Sequence, residues 1–540
     1  MKLKHEWLGV LLAGSLFCLH GCNSYNNKKP SVTPETFYDK DAWYANEVDH
    51  VMRMDVTFDD PNEYLCRPYN NLSANKRPCT FNDINHDINP NDDYEPKLHV
   101  RMQAEGFDAE SGYNASFKLK GNFSRTNAQK SYALKLDSKE HLFLGQRYIH
   151  LNKSESDRSR LRNRVAYSLL RQIPHIVSLQ LNYIHLFVNG KDYGLFNQPE
   201  VPRKEYLKNR GWDEEDCLYN ANNFQFVYDP YFFELDKDGK PKYPERFNSS
   251  LEIKSGSNHT KLIEMLKAVN SDQDIDKVIS KYFDRDNLMT WLAVNLLLNN
   301  KDTSFHNFYL YHPRFSDKFY FIPWDYDGAW ETTEYMSKWE YGISTWWAMP
   351  LMRKFFLKKK NRDDLYALAE KLRQTYLSYN NIKAIVDKYL PWVLPFQSVN
   401  PDAMHNSPES CIEAATRLYS QIDYNMALYK SVIGHPMPFE EDATYKDGVL
   451  VLQWDPSIDL EGDPIYYSVE FSKGDPRNII YENPYVKQTK LQIPISLDPG
   501  VYYLKVTSFE EGNPSHYQTA YTNVHVGDTK FYGVKRIIIP

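Results

Sequence analysis

Residues 299–330 read NNKDTSFHNFYLYHPRFSDKFYFIPWDYDGAW, and the rest of the chain is best interpreted outward from them. Asp302 is followed five positions later by Asn307, then by two aromatic segments, FYLYH and KFYFIPW, joined across PRFSD, and then by Asp325 and Asp327. Large strand-forming residues on either side of a short polar connection predict a β-hairpin. Transfer of a γ-phosphoryl group asks a protein mainly for positioning and charge neutralisation. One carboxylate must orient the attacking hydroxyl and another must hold the metal that bridges the phosphates. An amide oxygen close to both can complete the metal's oxygen shell. Asp302, Asp325 and Asn307 supply those groups in that order.

The flanking sequence supports the same chemistry. The apolar run Leu288 to Leu298 predicts a rigid helix leading directly into the Asp302 loop. Upstream, KLHVRMQAEGF, NASFKLKGN and KSYALKLD alternate with period 2 and are separated by Gly and Asn, which predicts an antiparallel sheet. Next, SDRSRLRNRVAYSLLRQI places Leu161, Val165, Ala166, Leu169 and Ile173 on one helical stripe, with Ser156 or Asp157 as N-cap and Pro174 as the stop. LNYIHLFVNGKDYGLFNQPEV then predicts a second hairpin turning at Asn189-Gly190. Lys135, at the end of YALK, sits where a strand lysine would reach α- and β-phosphates. Two features depart from the protein-kinase pattern. The helix after this sheet has no interior Glu to pair with Lys135 and carries Arg160, Arg162 and Arg164 instead, and only Lys-Gly-Asn at 120–122 stands for a Gly-rich loop.

Together, KLKGNFSRTNAQKSYALKLD, NKSESDRSRLRNRVAYSL, LFVNGKDYGLFNQPEV, KDTSFHNFYLY and FIPWDYDGAW resemble the CotH family of atypical bacterial kinases, known from spore-coat proteins. The resemblance runs from about Val51 to Val432. It implies a reduced, two-lobed protein-kinase-like fold of α+β class, an antiparallel sheet plus helix followed by a helical lobe. It also implies phosphorylation of serines on secreted or coat proteins, with ATP and Mg²⁺ or Mn²⁺. On this reading Asp302 is the catalytic aspartate, Asp325 and Asn307 are metal ligands, and Lys135 and Lys130 address the phosphates.

Simpler readings of the same residues stand beside these. Asp302 before Thr-Ser fits an ordinary turn. Alternation along an extended WDYD puts Asp325 and Asp327 on one side, so either is a candidate to face the metal. Lys120, Lys130 and Lys135 are the lysine candidates for cofactor binding and also fit a solvated sheet surface, His306 is read as a loop histidine, and Phe319 is the candidate for stacking on adenine. A second function of a different class is a non-catalytic surface lipoprotein that keeps the fold and binds glycans or proteins. The abundance of tyrosine and the appended C-terminal module motivate it.

The ends of the chain carry other information. Residues 1–22 combine Lys2 and Lys4 with an apolar run too short to span a bilayer, and end in Leu19-His20-Gly21-Cys22, which resembles a lipobox with Cys22 as the lipidated residue. Residues 23–45 are read as a flexible tether, 46–433 as the catalytic region and 437–530 as a sandwich. The expected location is the bacterial envelope, at the outer membrane or cell surface, by a lipid anchor. Gly434, Pro436 and Pro438 mark the boundary, and GVLVLQWDP, PIYYSVEFS, KLQIPI, GVYYLKVTSF and YTNVHV have the rhythm of a fibronectin type III-like module, with Trp454 as core anchor. A net charge of -7 in 540 residues argues against a nucleic-acid partner. Cys66 and Cys79 flank one loop and are the candidates to pair, while no CxxC or HxxxH spacing points to zinc. Asp83, Asn85 and Asp87 begin like a calcium loop, but Ile88 stands where that loop needs Gly.

Overall fold

The computed structural model describes residues 38–89, 94–108, 112–330 and 343–540; the leader and Cys22 lie outside them. Seven strands form the first sheet, in the order Tyr148–Leu151, Ser131–Leu136, Ala115–Lys120, Leu98–Ala104, Val51–Thr57, Leu181–Val188 and Lys191–Pro199. Every pairing is antiparallel except Val51–Thr57 with Leu181–Val188. Strict alternation sends Leu98, Val100, Met102, Ala115, Phe117, Leu119 and their neighbours into one core. The opposite, polar face carries Lys118, Lys120 and His150, with Lys118 opposite Ala133 and Ala133 opposite His150. Asn189 and Gly190 both adopt positive φ, as the two-residue hairpin turn between the last two strands requires.

The predicted helix forms over Arg162–Leu170, and Leu161, Val165, Ala166, Leu169 and Ile173 are all buried. It starts later than expected because the Asp157 carboxylate accepts hydrogen bonds from the backbone of Ser159 and Arg162, folding residues 157–161 into a turn ahead of the helix. A second, four-stranded antiparallel sheet holds Leu251–Ser255, Cys217–Ala221, Phe308–His312 and Tyr320–Pro323, and its last two strands are the predicted hairpin. Behind it the helix Arg285–Leu297 is buried on every side from Asn287 to Leu297. Trp291 stacks on Phe321 at 4.4 Å, and the Asn287 side chain exchanges two hydrogen bonds with the Phe321 backbone. Further helices between Pro350 and Ile433 complete this second core. The chain is therefore mixed α+β, a sheet-plus-helix region leading into helices, followed by a separate all-β region.

That C-terminal region has its own core, in which Trp454 packs edge-on against Tyr467 at 5.3 Å. Its strands continue past residue 530, because Val534–Ile539 pairs with Gly500–Glu510. The N-terminal limit also moves. Trp43 and Tyr44, assigned to the tether, are buried in the larger core, and Asp39 accepts a hydrogen bond from the Ser178 backbone, so packing begins well before residue 46. Cys66 and Cys79 form a disulfide, and Cys217 and Cys411 are buried thiols. The calcium-like acids are occupied by cations of the chain, Asp83 by Arg77 at 2.7 Å and Asp87 by Arg125 at 2.5 Å. No helix of the described residues is long and apolar enough to cross a membrane.

Candidate active site

Two turns meet at the end of the buried helix. The first, a 3-10 turn at Lys301–Thr303, carries Asp302. Its carboxylate is held locally, with Oδ2 accepting a hydrogen bond from Asn307 Nδ2 at 2.7 Å and Oδ1 lying 2.8 Å from His306 Nε2. Asn307 reaches back across this five-residue interval because its own backbone is left-handed, at φ 57°. The second turn, Tyr326–Gly328, begins at Asp325, also left-handed at φ 54°. Such a conformation is uncommon for any residue but Gly or Asn and needs external support. Gly328 closes the gap between the turns: a Cβ there would lie 3.0 Å from Asp302 Cβ.

The three carboxylates share one cleft. Burial pushes Asp325 above the usual carboxylate range, Lys120 pulls it back and Asp302 raises it further. Burial also raises Asp327, to about 8, with the charges of Asp325 and Asp302 adding to it and that of Lys120 opposing it. One oxygen of Asp325, Oδ1, is buried without a hydrogen-bond partner. Acids this close repel one another, and an orphaned carboxylate oxygen among them is the donor set a hard divalent cation fits. Asp325, Asp327 and the Asn307 amide are therefore suited to Mg²⁺ or Mn²⁺. Among the described residues a separate acidic group, Asp459, Asp463 and Glu510, lies in the C-terminal region.

Across the cleft stands the polar face of the first sheet. Lys120 is the lysine whose charge reaches both Asp325 and Asp327. Beside it His150 is buried and held well below its ordinary pKa, by burial first and then by Lys120, Arg203, Lys254 and Lys118. Its ring lies 6.0 Å from Trp324, which directly precedes Asp325. Lys254 is pushed down to about 8 by burial and by Arg203. Arg203 itself sits 4.0 Å above the Tyr148 ring. Reasoning from sequence missed Arg203 and Lys254, which lie in a connecting segment and on a strand of the second sheet. Their signal was available only as unexplained cations bordering strands.

Other expected residues are placed elsewhere. Lys135 shares the face of Lys120 but pairs with Ser116 at the opposite end of the strand, is exposed, and lies over the Tyr148 ring. Lys130 donates from Nζ to the Arg125 carbonyl, inside the loop that joins the strands of Lys120 and Lys135. That loop opens at Gly121, φ 96°, where any Cβ would fall 2.0 Å from Ser124 Oγ. Phe319 is fully buried, stacked on His312 at 4.5 Å and tied through its backbone to Tyr282, so it shows no ring face to a nucleotide. The expectation of adenine stacking there is corrected: Phe319, just ahead of the strand Tyr320–Pro323, is packed in the core.

The missing glutamate is also accounted for. Arg164 and Arg171 turn away to Glu47 at 3.4 and 2.8 Å. Arg160 holds the Lys153 and Ser154 carbonyls and Gln129. Arg162 donates to the Asp327 carbonyl at 2.8 Å.

The sequence is 27% identical over 215 residues to the inner spore coat protein H of Bacillus subtilis (strain 168), a match covering 39% of this chain and 57% of that protein. The chain thus spans somewhat more than half the length of that relative. The sequence model of the family described as CotH kinase protein matches residues 117–427, from the strand that bears Lys118 and Lys120 to the last helix before the β region. With more than half of its length matched and every acidic residue of the cleft inside the match, the chain belongs to the CotH kinase family.

Proposed function

We propose that this chain is an exported, ATP-dependent serine kinase that uses Mg²⁺ or Mn²⁺ at the cleft between Lys120 and the three aspartates. The observation that carries the reading is the buried, partnerless Oδ1 of Asp325 beside Asp302 and Asp327, facing a sheet surface rich in lysine. Asp302 orients the acceptor hydroxyl and takes its proton as the new O–P bond forms and the bond to the departing ADP oxygen breaks. Asn307 and His306 fix the two carboxylate oxygens for that task. Lys120, with Lys118, Arg203 and Lys254 nearby, offers compensation for the charge of the phosphates, a role that passes to Lys120 from Lys135 on grounds of position. Asp325, Asp327 and Asn307 would hold a divalent metal, which would supply neutralisation of the phosphate charge.

The acceptor is proposed to be a serine-bearing exported protein. Cys22 is proposed to anchor the chain by lipid at the bacterial envelope, and the C-terminal region to contact a protein or glycan there. Purified protein incubated with γ-labelled ATP, Mn²⁺ and a Ser-rich peptide tests the reading. Label in the peptide or in the protein itself is expected; absence of both transfer and metal-dependent nucleotide binding sinks it. For location, Cys22→Ser is expected to move the protein from the membrane to the soluble fraction, and unchanged sedimentation would count against the anchor.

A further inference from the structure

The helix Arg162–Leu170 reaches the metal segment with three side chains in series. Tyr167 Oη accepts a hydrogen bond from the Asp325 N–H at 3.1 Å, Asn163 Oδ1 accepts one from the Tyr326 N–H at 2.7 Å, and Arg162 Nη1 donates to the Asp327 carbonyl at 2.8 Å. Asn163 and Tyr167 are four residues apart and so project from one face of the helix. Both are buried, at 2% and 1% exposure. The backbone these groups grip is the left-handed Asp325 and the turn that follows it. Three peptide groups between Trp324 and Gly328 that would otherwise be free to relax from a costly conformation are thereby held by one helix.

We propose that Asn163, Tyr167 and Arg162 are positioning residues for the metal site, holding Asp325 and Asp327 with their carboxylates turned into the cleft. This rests on the reading of those aspartates as metal ligands. It gives the helix a different task from the glutamate–lysine pairing of protein kinases. The helix acts on the acidic half of the site and leaves the lysine half alone. It also gives a task to the residues at positions 162, 163 and 167, which lie off the apolar stripe. A shift of this helix relative to the second sheet would misplace both metal-binding carboxylates at once.

The test is titration of the full-length protein with Mn²⁺ in the absence of nucleotide, with free Mn²⁺ read by electron paramagnetic resonance; a non-hydrolysable ATP analogue is titrated separately. Asn163→Ala and Tyr167→Phe are each expected to weaken Mn²⁺ binding about tenfold, the scale of one lost buried hydrogen bond. Affinity for the metal-free analogue in EDTA should stay unchanged, a split that general loss of structure would not produce. Asp325→Asn serves as the reference and is expected to abolish Mn²⁺ binding. If Asp325→Asn loses the metal while the two helix variants bind within about twofold of the unmodified chain, well under the worth of one such bond, the positioning role is overturned and the metal site stands. If Asp325→Asn binds as the unmodified chain does, the metal assignment fails and the positioning role with it.

Discussion

Asp302 and Asp325 are separated by a hairpin in sequence, the turn that follows Asp325 brings Gly328 against Asp302, and the two are proposed to do different work. Asp302→Ala is expected to lower turnover by at least about a hundredfold while nucleotide still binds, as removal of a positioned proton acceptor does. Asp325→Ala should lose metal-dependent nucleotide binding as well, so equilibrium binding with and without Mn²⁺ separates the two roles. Equal residual turnover and equal binding in both variants would contradict them. The raised pKa of Asp325 and Asp327 also sets a direction with pH. The folded, metal-free protein holds protons there that the unfolded chain has released above the ordinary carboxylate range, so this contribution to stability falls as pH rises from about 4 to about 8. Metal displaces those protons. Thermal melts are therefore expected to show a stabilisation by Mn²⁺ that grows across this window, and Asp327→Asn should flatten the dependence in metal-free protein. A stabilisation that is independent of pH in both proteins would contradict it.

Among the elements, the turn that joins Asp302 to Asn307 was legible and the choice among Lys120, Lys130 and Lys135 was not, for a geometric reason. The spacing of Asp302 and Asn307 is local, since a single turn joins them, and the hairpin and buried helix around them have strong periodic signatures. The lysines belong to a sheet, where alternation reveals the face but not which end of a strand meets the cleft. Lys135 and Lys120 share a face, yet their places along it differ by four residues, or about 13 Å at the rise of a strand. Only the register of the sheet against the Trp324 hairpin decides between them. The same limit hid Arg203 and Lys254. The Arg162–Leu170 helix was found from its apolar stripe, while its late start came from the Asp157 turn, a side-chain-to-backbone effect that periodicity does not see. At this scale the loop after Lys120 is testable. Gly121→Ala forces both a left-handed alanine and a clash with Ser124, and is expected to raise the KM for ATP several-fold and to lower Tm by a few degrees. An unchanged KM would remove this loop from the nucleotide site.

Over the whole molecule, the sheet region and the helical region are joined by a buried ion pair outside the active site. Lys153 Nζ lies 2.7 Å from Asp402 Oδ1, both nearly inaccessible, and Asp402 also accepts from Gln129 and from the Leu195 backbone. Removing one partner of such a pair strands the other charge, so Asp402→Ala is expected to cost about 3–5 kcal/mol, visible as a lower denaturant midpoint. An unchanged midpoint would show that the two regions do not depend on this contact. The boundaries of the folded unit were the least legible feature at this scale. Residues 38–45 look polar enough for a tether, but Trp43 and Tyr44 find a core supplied by distant segments, and the final strand Val534–Ile539 pairs with a partner some thirty residues earlier. The central claim is that the chain transfers phosphate through Asp302 with metal at Asp325. It is tested most directly by the rate of ³²P transfer from γ-labelled ATP, with Mn²⁺ present, by the unmodified protein and by Asp302→Ala. The account predicts transfer by the first and, in the variant, its loss with nucleotide binding retained. Equal transfer by both, or none by the unmodified protein, would contradict it.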